Sequence, residues 1–407
     1  MLASVEKRRI CAALLKNNQE EGSIFLTDVL LFALGTVAYL LFMLLFDRWI
    51  WRIVSQNFSG IKKNFFGLIC FILEIIPMGS IYQFLFPVRS LRWLSAAGFW
   101  VMGFLIYFLI SLVVLRLLQK ILGAVLHQKE RFLTPRFQIY KLAVGAIFSI
   151  GICCWGFWAL QNPTVTSFNV GHEGKEKMRV VALSDLHYGT VGGTLDLKKM
   201  VERINDLNPD LVLFAGDVLD DRADRADKET FTKAVSSIKS SYGVYAIMGN
   251  HEYKYNTPEQ MRAFYQGSSV ELLCNQTKNI DGKLLLLGRD DYAVGGKNHS
   301  RMPISQLLKG QNTDLPLLVL DHQPQDYRES EKDGALLQIS GHTHNGQIWP
   351  GDLIVHSIFK LHYQTPSNDI YRENNFTLAV TRGYGAWGFQ MRTTGNAEIF
   401  CVNVTVP

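Results

Sequence analysis

Acidic and histidine side chains occur in five short groups in the second half of the chain, and each group follows an apolar run. These groups are Asp185-Leu186-His187, Gly216-Asp217, Gly249-Asn250-His251-Glu252, His322 and Gly341-His342-Thr343-His344. They contain five of the ten histidines of the chain. Glycines beside them allow the backbone to turn sharply. We therefore expect these side chains to converge on one site.

The residue types indicate metal chemistry. Oxygen and imidazole ligands without thiolates are typical of Mn, Fe or Zn sites. Seven side chains are too many for one ion, but two ions that share a bridging carboxylate would use them all, and a dinuclear site suits in-line displacement at phosphorus. The candidate ligands are Asp185, His187, Asp217, Asn250, His322, His342 and His344. Taken alone, His322 could be a core histidine, whereas the conjunction of all five groups at strand ends favours the metal site.

The apolar runs before these groups predict strands that are buried on both faces. They alternate with helical patterns such as residues 195–207, which predicts an α/β domain with a parallel or mixed sheet. Ligands of such sheets bind at the carboxyl ends of the strands. The runs cover residues 178–185, 211–217, 243–250, 284–290, 315–322 and 335–342.

The order of these motifs resembles the calcineurin-like metallophosphoesterase superfamily over about residues 175–405, and most closely its membrane-anchored branch. The resemblance implies a four-layer αββα sandwich with two divalent metal ions at the strand ends. It implies that Asp185, His187 and His344 hold one ion, that Asn250, His322 and His342 hold the other, and that Asp217 bridges both. His251 would protonate the leaving oxygen or stabilise its charge, and Asp220 would orient a metal ligand.

A glycine-rich segment from Thr381 to Arg392 resembles the closing segment of the same family, where an arginine lies near the site. Arg392 could bind the substrate phosphate. The alternative is a surface arginine without a catalytic role.

The first half of the chain has the composition of a membrane region. Four apolar runs are long enough to cross a bilayer, at residues 24–46, 65–88, 93–115 and 142–160. We predict an N-terminal tail (residues 1–23), a region with four transmembrane helices (24–160), a linker with an edge strand (161–177) and the phosphoesterase domain (178–407). Cys274 and Cys401 of that domain could meet in the fold.

The distribution of charge predicts the orientation of the protein. The loop after the first span and the loop before the last span together contain ten Lys and Arg residues, whereas the N-terminal tail and the loop between the second and third spans contain six. Because Lys and Arg favour the cytoplasmic side, we predict that the two loops with ten lie in the cytoplasm and that the catalytic domain lies outside. Asp28 and Glu74 are costly inside a bilayer and could be functional, or could lie near the interface and bond a neighbouring helix.

Of the 407 residues, 48% are hydrophobic and 19% are charged, which excludes a disordered chain. The second half has a net charge of −4 and no basic surface for nucleic acid. We expect the bilayer and a phosphorylated small molecule or lipid as partners. Two alternatives stay open: a nucleotide-linked lipid diphosphate hydrolase at the cytoplasmic face, and a membrane interaction or transport protein with a metal-stabilised domain.

Overall fold

The computed structural model describes residues 34–85, 88–171, 176–189, 195–220, 223–292 and 301–407. The predicted tail (1–23), Asp28 and the first ten residues of the predicted span 24–46 lie outside the described residues.

The first part of the described chain is helical. Three of its helices contain stretches that are long and apolar enough to cross a membrane, namely Lys63–Ser80, Arg92–Val125 and Pro135–Gln161. The remaining predicted span, residues 24–46, is described only from residue 34 onwards and stays a prediction. The helices are α1 (34–57), α2 (Lys63–Leu85), α3 (Arg92–Val125), α4 (Lys129–Leu133) and α5 (Pro135–Gln161).

The chain forms two compact units that divide α3 and α5 between them. Among the described residues, one unit comprises 34–79 and 112–145, and the other lies within 80–111 and 146–407. The unit that contains the α/β domain therefore also contains the first part of α3 and the last part of α5. The domain boundaries predicted from the sequence, with a membrane region at 24–160, stay a prediction.

Twelve strands form two six-stranded mixed sheets in the described residues. The strand order is β1-β12-β2-β3-β4-β5 in the first sheet and β10-β11-β9-β8-β7-β6 in the second. Strands β2, β3, β4 and β5 are parallel, as are β7, β8, β9 and β11. The strands are β1 (Thr164–Val170), β2 (Glu176–Leu183), β3 (Leu211–Ala215), β4 (Val244–Ile247), β5 (Val270–Leu272), β6 (Gln276–Ile280), β7 (Leu284–Gly288), β8 (Leu317–Leu320), β9 (Leu337–Ser340), β10 (Asp369–Glu373), β11 (Phe376–Val380) and β12 (Glu398–Val406).

Seven α-helices accompany the sheets in the part of the domain that the structure describes. The longer ones are amphipathic, as in α6, whose apolar residues Leu197, Met200 and Ile204 are buried. Asp196 caps this helix by accepting a hydrogen bond from the backbone of Lys199. The helices are α6 (Leu197–Asp206), α7 (Arg225–Val235), α8 (Asn250–Tyr255), α9 (Pro258–Tyr265), α10 (Ile304–Leu307), α11 (Tyr327–Lys332) and α12 (Gly351–Ile358).

Three apolar clusters account for the layers. One cluster lies between the two sheets and includes Leu213 of β3 and Leu318 of β8. A second joins the outer face of the first sheet to α6, α7 and α9, and a third joins the outer face of the second sheet to α10 and α11. The α/β domain predicted from the strand patterns and the sandwich implied by the family resemblance are therefore confirmed, with helices on both outer faces. Cys274 and Cys401 do not pair and are free thiols.

Candidate metal centre

The candidate ligands come from the carboxyl ends of strands in both sheets. Asp185 and His187 follow β2, Asp217 follows β3, and Asn250 begins α8 directly after β4. His322 follows β8, and His342 and His344 follow its neighbour β9. Because these strands run in parallel, the sandwich brings their ends to one edge, where the two sheets contribute to a common site.

Asp185, His187 and His344 form the first cluster. Nε2 of His187 lies 3.0 Å from Nε2 of His344, and that atom of His344 lies 3.4 Å from Oδ1 of Asp185. Their ligand atoms all lie within 4.8 Å of one another. Two imidazole nitrogens and a carboxylate oxygen that face each other at this spacing are suited to binding one divalent ion.

Asp217, His322 and His342 form the second cluster, and Asn250 lies beside it. Oδ2 of Asp217 is 3.2 Å from Nε2 of His322, and Oδ1 of Asn250 is 2.8 Å from Nδ1 of His342. Oδ2 of Asp217 also lies 3.8 Å from Nε2 of His187 in the first cluster. Asp217 therefore occupies the position between the two clusters that a bridging carboxylate requires.

The hydrogen bonds of His322 fit a metal ligand. Nδ1 lies 2.8 Å from the carbonyl oxygen of Ala215, which can only accept a hydrogen bond. This contact assigns a proton to Nδ1 and leaves Nε2 directed at Asp217. Within the described part of the chain, the buried Nε2 has no hydrogen-bond partner of acceptable geometry. A divalent ion at this point would satisfy it.

Asp217 and the histidines beside it shift each other's pKa values towards the charged forms. Burial alone favours neutral groups, but His322 and His187 hold the pKa of Asp217 well below its usual range. The charge of Asp217 in turn raises the pKa of His322, against the effect of burial. Asp217 is therefore a buried carboxylate in its charged form, which is the form that binds a cation.

The backbone of the ligand loops is strained. Five of the seven candidate ligands have a positive φ angle, a conformation that is uncommon for residues other than glycine. Such conformations cost on the order of 1 kcal/mol or more and cluster at functional sites. They are found at Asp185 (54°), His187 (46°), Asp217 (50°), His342 (69°) and His344 (49°).

Close packing also requires a glycine at residue 341. A Cβ atom there would lie 2.1 Å from Oγ of Ser184 and 2.2 Å from Oδ2 of Asp185. The backbone of His342 donates hydrogen bonds of 3.0 and 3.1 Å to the same aspartate. Gly341 therefore allows the loop after β9 to lie directly against the loop after β2.

His251 lies at the edge of the first cluster. Its ring centroid is 4.6 Å from that of His187 and 5.8 Å from that of the exposed Trp387. Burial lowers the pKa of His251 to about 4. One ring nitrogen of His251, together with His187 and Asp220, also forms a third group of ligand-type atoms. Oδ2 of Asp220 is 3.6 Å from Nδ1 of His187, which places it beside the ligand that it is predicted to orient.

Glu252 is a functional candidate that the sequence reasoning missed. It is buried, and its carboxylate accepts backbone hydrogen bonds from Asp217 (3.0 Å), Leu219 (2.8 Å) and Gly249 (2.8 Å). Burial and the charge of Asp217 raise its pKa to about 8, while the backbone donors lower it. Glu252 thus joins the loop of the bridging ligand to the loop of Asn250. The available signal was its place at the third residue of α8, where a glutamate often caps a helix.

The prediction that Arg392 binds substrate phosphate needs a correction. Arg392 has no exposed surface. Its guanidinium donates to the carbonyl oxygens of Gly385 (3.0 and 2.7 Å) and His344 (3.3 Å). Burial also lowers its pKa to about 10. The arginine is neither at the surface nor open to a substrate, and it positions the loop that carries His344.

Comparisons with known proteins identify a matching family model and similar chains. Residues 178–346 match the family model for the calcineurin-like phosphoesterases. An uncharacterized metallophosphoesterase of Helicobacter pylori is 30% identical over 226 residues, which cover 55% of this chain and 59% of the relative. A Danio rerio protein named transmembrane protein with metallophosphoesterase domain is 26% identical over 393 residues, covering 89% of this chain and 88% of the relative. The crystal structure of a dimetal phosphatase from Danio rerio is 12% identical with a TM-score of 0.33, covering 51% of this chain and 88% of that structure.

Residues 178–346 match the calcineurin-like phosphoesterase domain, and they are preceded by apolar helices of membrane-spanning length. The resemblance inferred from the motifs is therefore confirmed. The family consists of metal-dependent phosphoester hydrolases with a dinuclear centre of divalent ions, and the clusters described above provide its ligand types. The chain spans 59% of the length of the Helicobacter relative that it matches.

Proposed function

We propose that the protein is a membrane-anchored phosphoester hydrolase with two divalent metal ions, which cleaves a phosphate ester or a diphosphate. The observation that carries this proposal is the position of Asp217. Its Oδ2 lies 3.2 Å from a histidine nitrogen of one cluster and 3.8 Å from a histidine nitrogen of the other.

The residues divide into two ligand sets with one shared member. Asp185, His187 and His344 would hold the first ion, Asn250, His322 and His342 the second, and Asp217 both. When bound, two divalent ions supply a water of lowered pKa and neutralise the charge on the phosphoryl oxygens. Mn, Fe and Zn fit this set of nitrogen and oxygen ligands.

His251 acts on the leaving group in this proposal. Its ring lies beside the first cluster and against the exposed Trp387, at a place that a substrate can reach from solvent. From there the imidazole provides a proton or a hydrogen bond to the oxygen that leaves phosphorus. Asp220 and Arg392 touch no substrate and act by positioning His187 and the loop of His344.

The substrate class follows from the location of the domain. Apolar helices hold the catalytic edge near a bilayer, which supports a phosphate ester or diphosphate that is carried by a lipid. The net charge of −4 in the second half of the chain does not favour nucleic acid. The protein would cross the membrane several times, with the catalytic domain outside the cytoplasm. Cleavage of a nucleotide-linked lipid diphosphate at the cytoplasmic face would require the opposite orientation.

The test uses the full chain, purified in detergent, with measurements of metal content and of Mn²⁺-dependent hydrolysis of a chromogenic phosphodiester. Asp217→Asn is compared with Asp206→Asn, the same change at an exposed aspartate of α6. We expect about two ions per chain, unchanged content and rate in Asp206→Asn, and loss of both in Asp217→Asn. A wild-type chain without bound metal or activity would refute the proposal and favour the reading in which the spans, with Glu74, carry the function.

A further inference from the structure

The segment from Trp349 to Tyr363 exposes an unusual amount of apolar surface. Its central helix α12 has no buried residue. Leu353 is 56% exposed, Ile354 60% and Leu361 79%. Isolated apolar side chains are often exposed on protein surfaces, whereas a contiguous group of them marks an interaction surface.

The remainder of the α/β domain does not share this property. Among the described residues after 161, nine large hydrophobic side chains are exposed, and six of them belong to this one segment. These six are Trp349, Leu353, Ile354, Ile358, Leu361 and Tyr363. The surface is therefore a local feature of residues 349–363.

The start of the segment is attached to the apolar helices. Ile348 belongs to an apolar cluster with Tyr107 of α3 and Cys153 of α5. The backbone of Trp349 donates a 2.8 Å hydrogen bond to Oγ1 of Thr393, and the same oxygen is hydrogen-bonded to the hydroxyl of Tyr107. Ile348 and Trp349 therefore contact the apolar helices, and α12 begins two residues after Trp349.

The point of attachment lies well inside the candidate spans. Tyr107 is 15 residues after Arg92, the first residue of α3, which corresponds to about 22 Å along the helix. It falls within the stretch 93–115, which has no charged residue. A segment that packs on this stretch therefore lies directly beside a candidate membrane span.

We propose that residues 349–363 form a membrane-contact surface that inserts into the bilayer interface beside the spans. Trp349 and Tyr363 at the two ends are aromatic residues of the kind that favour the level of the lipid headgroups. Lys360 is exposed and can extend its ammonium group towards the headgroups. The surface is linked to the metal centre, because the buried Phe359 lies with its ring centroid 6.5 Å from that of His342.

The test is site-specific alkylation of the full chain in nanodiscs that hold one copy each. Ile354→Cys and Leu361→Cys are compared with Thr313→Cys, an exposed residue before β8. A water-soluble maleimide is added, and labelling is read peptide by peptide by mass spectrometry, so that native cysteines do not interfere. A thiol in lipid cannot form the reactive thiolate, so we expect residues 354 and 361 to react at least about tenfold more slowly than residue 313.

Labelling at all three positions at one rate would show that the surface faces water and would overturn the proposal. Protection that appears only in discs with two copies would assign the surface to a protein interface, which also overturns it. The buried Cys401 must stay unreactive in each variant, which verifies that the sheet is intact. The readout involves no catalysis, so its result is independent of the proposed function.

Discussion

Replacing Glu252 tests how the two ligand loops of the metal centre are held together. Oε2 accepts the backbone hydrogens of Asp217 and Gly249, and Oε1 accepts that of Leu219. Glu252→Ala leaves three buried N–H groups without an acceptor, and each such group costs about 1–3 kcal/mol. Allowing for partial relaxation, we expect the free energy of unfolding to fall by about 3–5 kcal/mol.

Glu252→Gln separates the role of the acceptors from the role of the charge. Glutamine can keep one oxygen towards Asp217 and Gly249, but its NH₂ group then faces the N–H of Leu219. Burial raises the pKa of Glu252 to about 8 because it disfavours the charged form, so the neutral amide avoids that cost and offsets part of the loss. We expect a loss of about 1–2 kcal/mol in Glu252→Gln, clearly smaller than in the alanine variant.

The assay is thermal unfolding of the purified full chain together with its metal content. For a domain of this size, 1 kcal/mol corresponds to about 2–4 °C in Tm. The alanine variant should therefore unfold roughly 10 °C lower and bind less metal, with the exposed Glu259→Gln as a control that matches the wild type. Equal destabilisation by glutamine and alanine would mean that the charge, and not the acceptor geometry, matters, and would refute the reasoning.

Four further predictions concern the same site. His251→Ala should keep both ions and lower the turnover rate by about 10²–10⁴; simultaneous loss of metal would instead make His251 a ligand. Gly341→Ala should lower metal content and cost about 1–3 kcal/mol, because its Cβ would lie 2.2 Å from Oδ2 of Asp185; an unchanged ion content would contradict the need for close loop packing. Arg392→Lys should reduce Tm and metal content, since lysine lacks the planar fork that reaches two carbonyls; a raised KM with normal metal content would restore its role in phosphate binding. Chelation with EDTA should lower Tm, and Mn²⁺ at 100 times its Kd should restore about 2.7 kcal/mol.

The α/β domain and the convergence of the candidate ligands could be predicted from the sequence because both depend on local patterns, whereas the two-sheet sandwich was implied by the family resemblance. Continuous apolar runs such as Leu211–Ala215 are typical of strands buried on both faces, and strands of a parallel sheet end at a common edge. A polar residue directly after such a run is thereby placed at that edge. This reasoning positions each ligand without any knowledge of how the two sheets pack.

The roles of Glu252 and Arg392 could not be predicted in this way. Glu252 accepts hydrogen bonds from backbone N–H groups of residues up to 35 positions away. Every residue except proline has such a group, so the sequence does not indicate which ones Glu252 contacts. Arginine is a residue type that commonly binds phosphate, but the loop after β9 covers Arg392. Its guanidinium donates hydrogen bonds to backbone carbonyl oxygens instead. Whether a polar group binds a ligand or supports a loop depends on burial, which only the tertiary structure determines.

The relation between the catalytic domain and the apolar helices was likewise not accessible from hydropathy. A change in composition near residue 160 suggests that membrane and catalytic regions meet at a linker, yet Met391 packs in one cluster with Tyr107 and Cys153. The backbone of Arg392 also donates a 2.8 Å hydrogen bond to the carbonyl of Gly156 in α5. The loop that orients His344 is therefore supported on one side by a candidate span. An isolated domain that begins at residue 165 would lose this support, so the helices contribute to the structure of the metal centre as well as to anchoring.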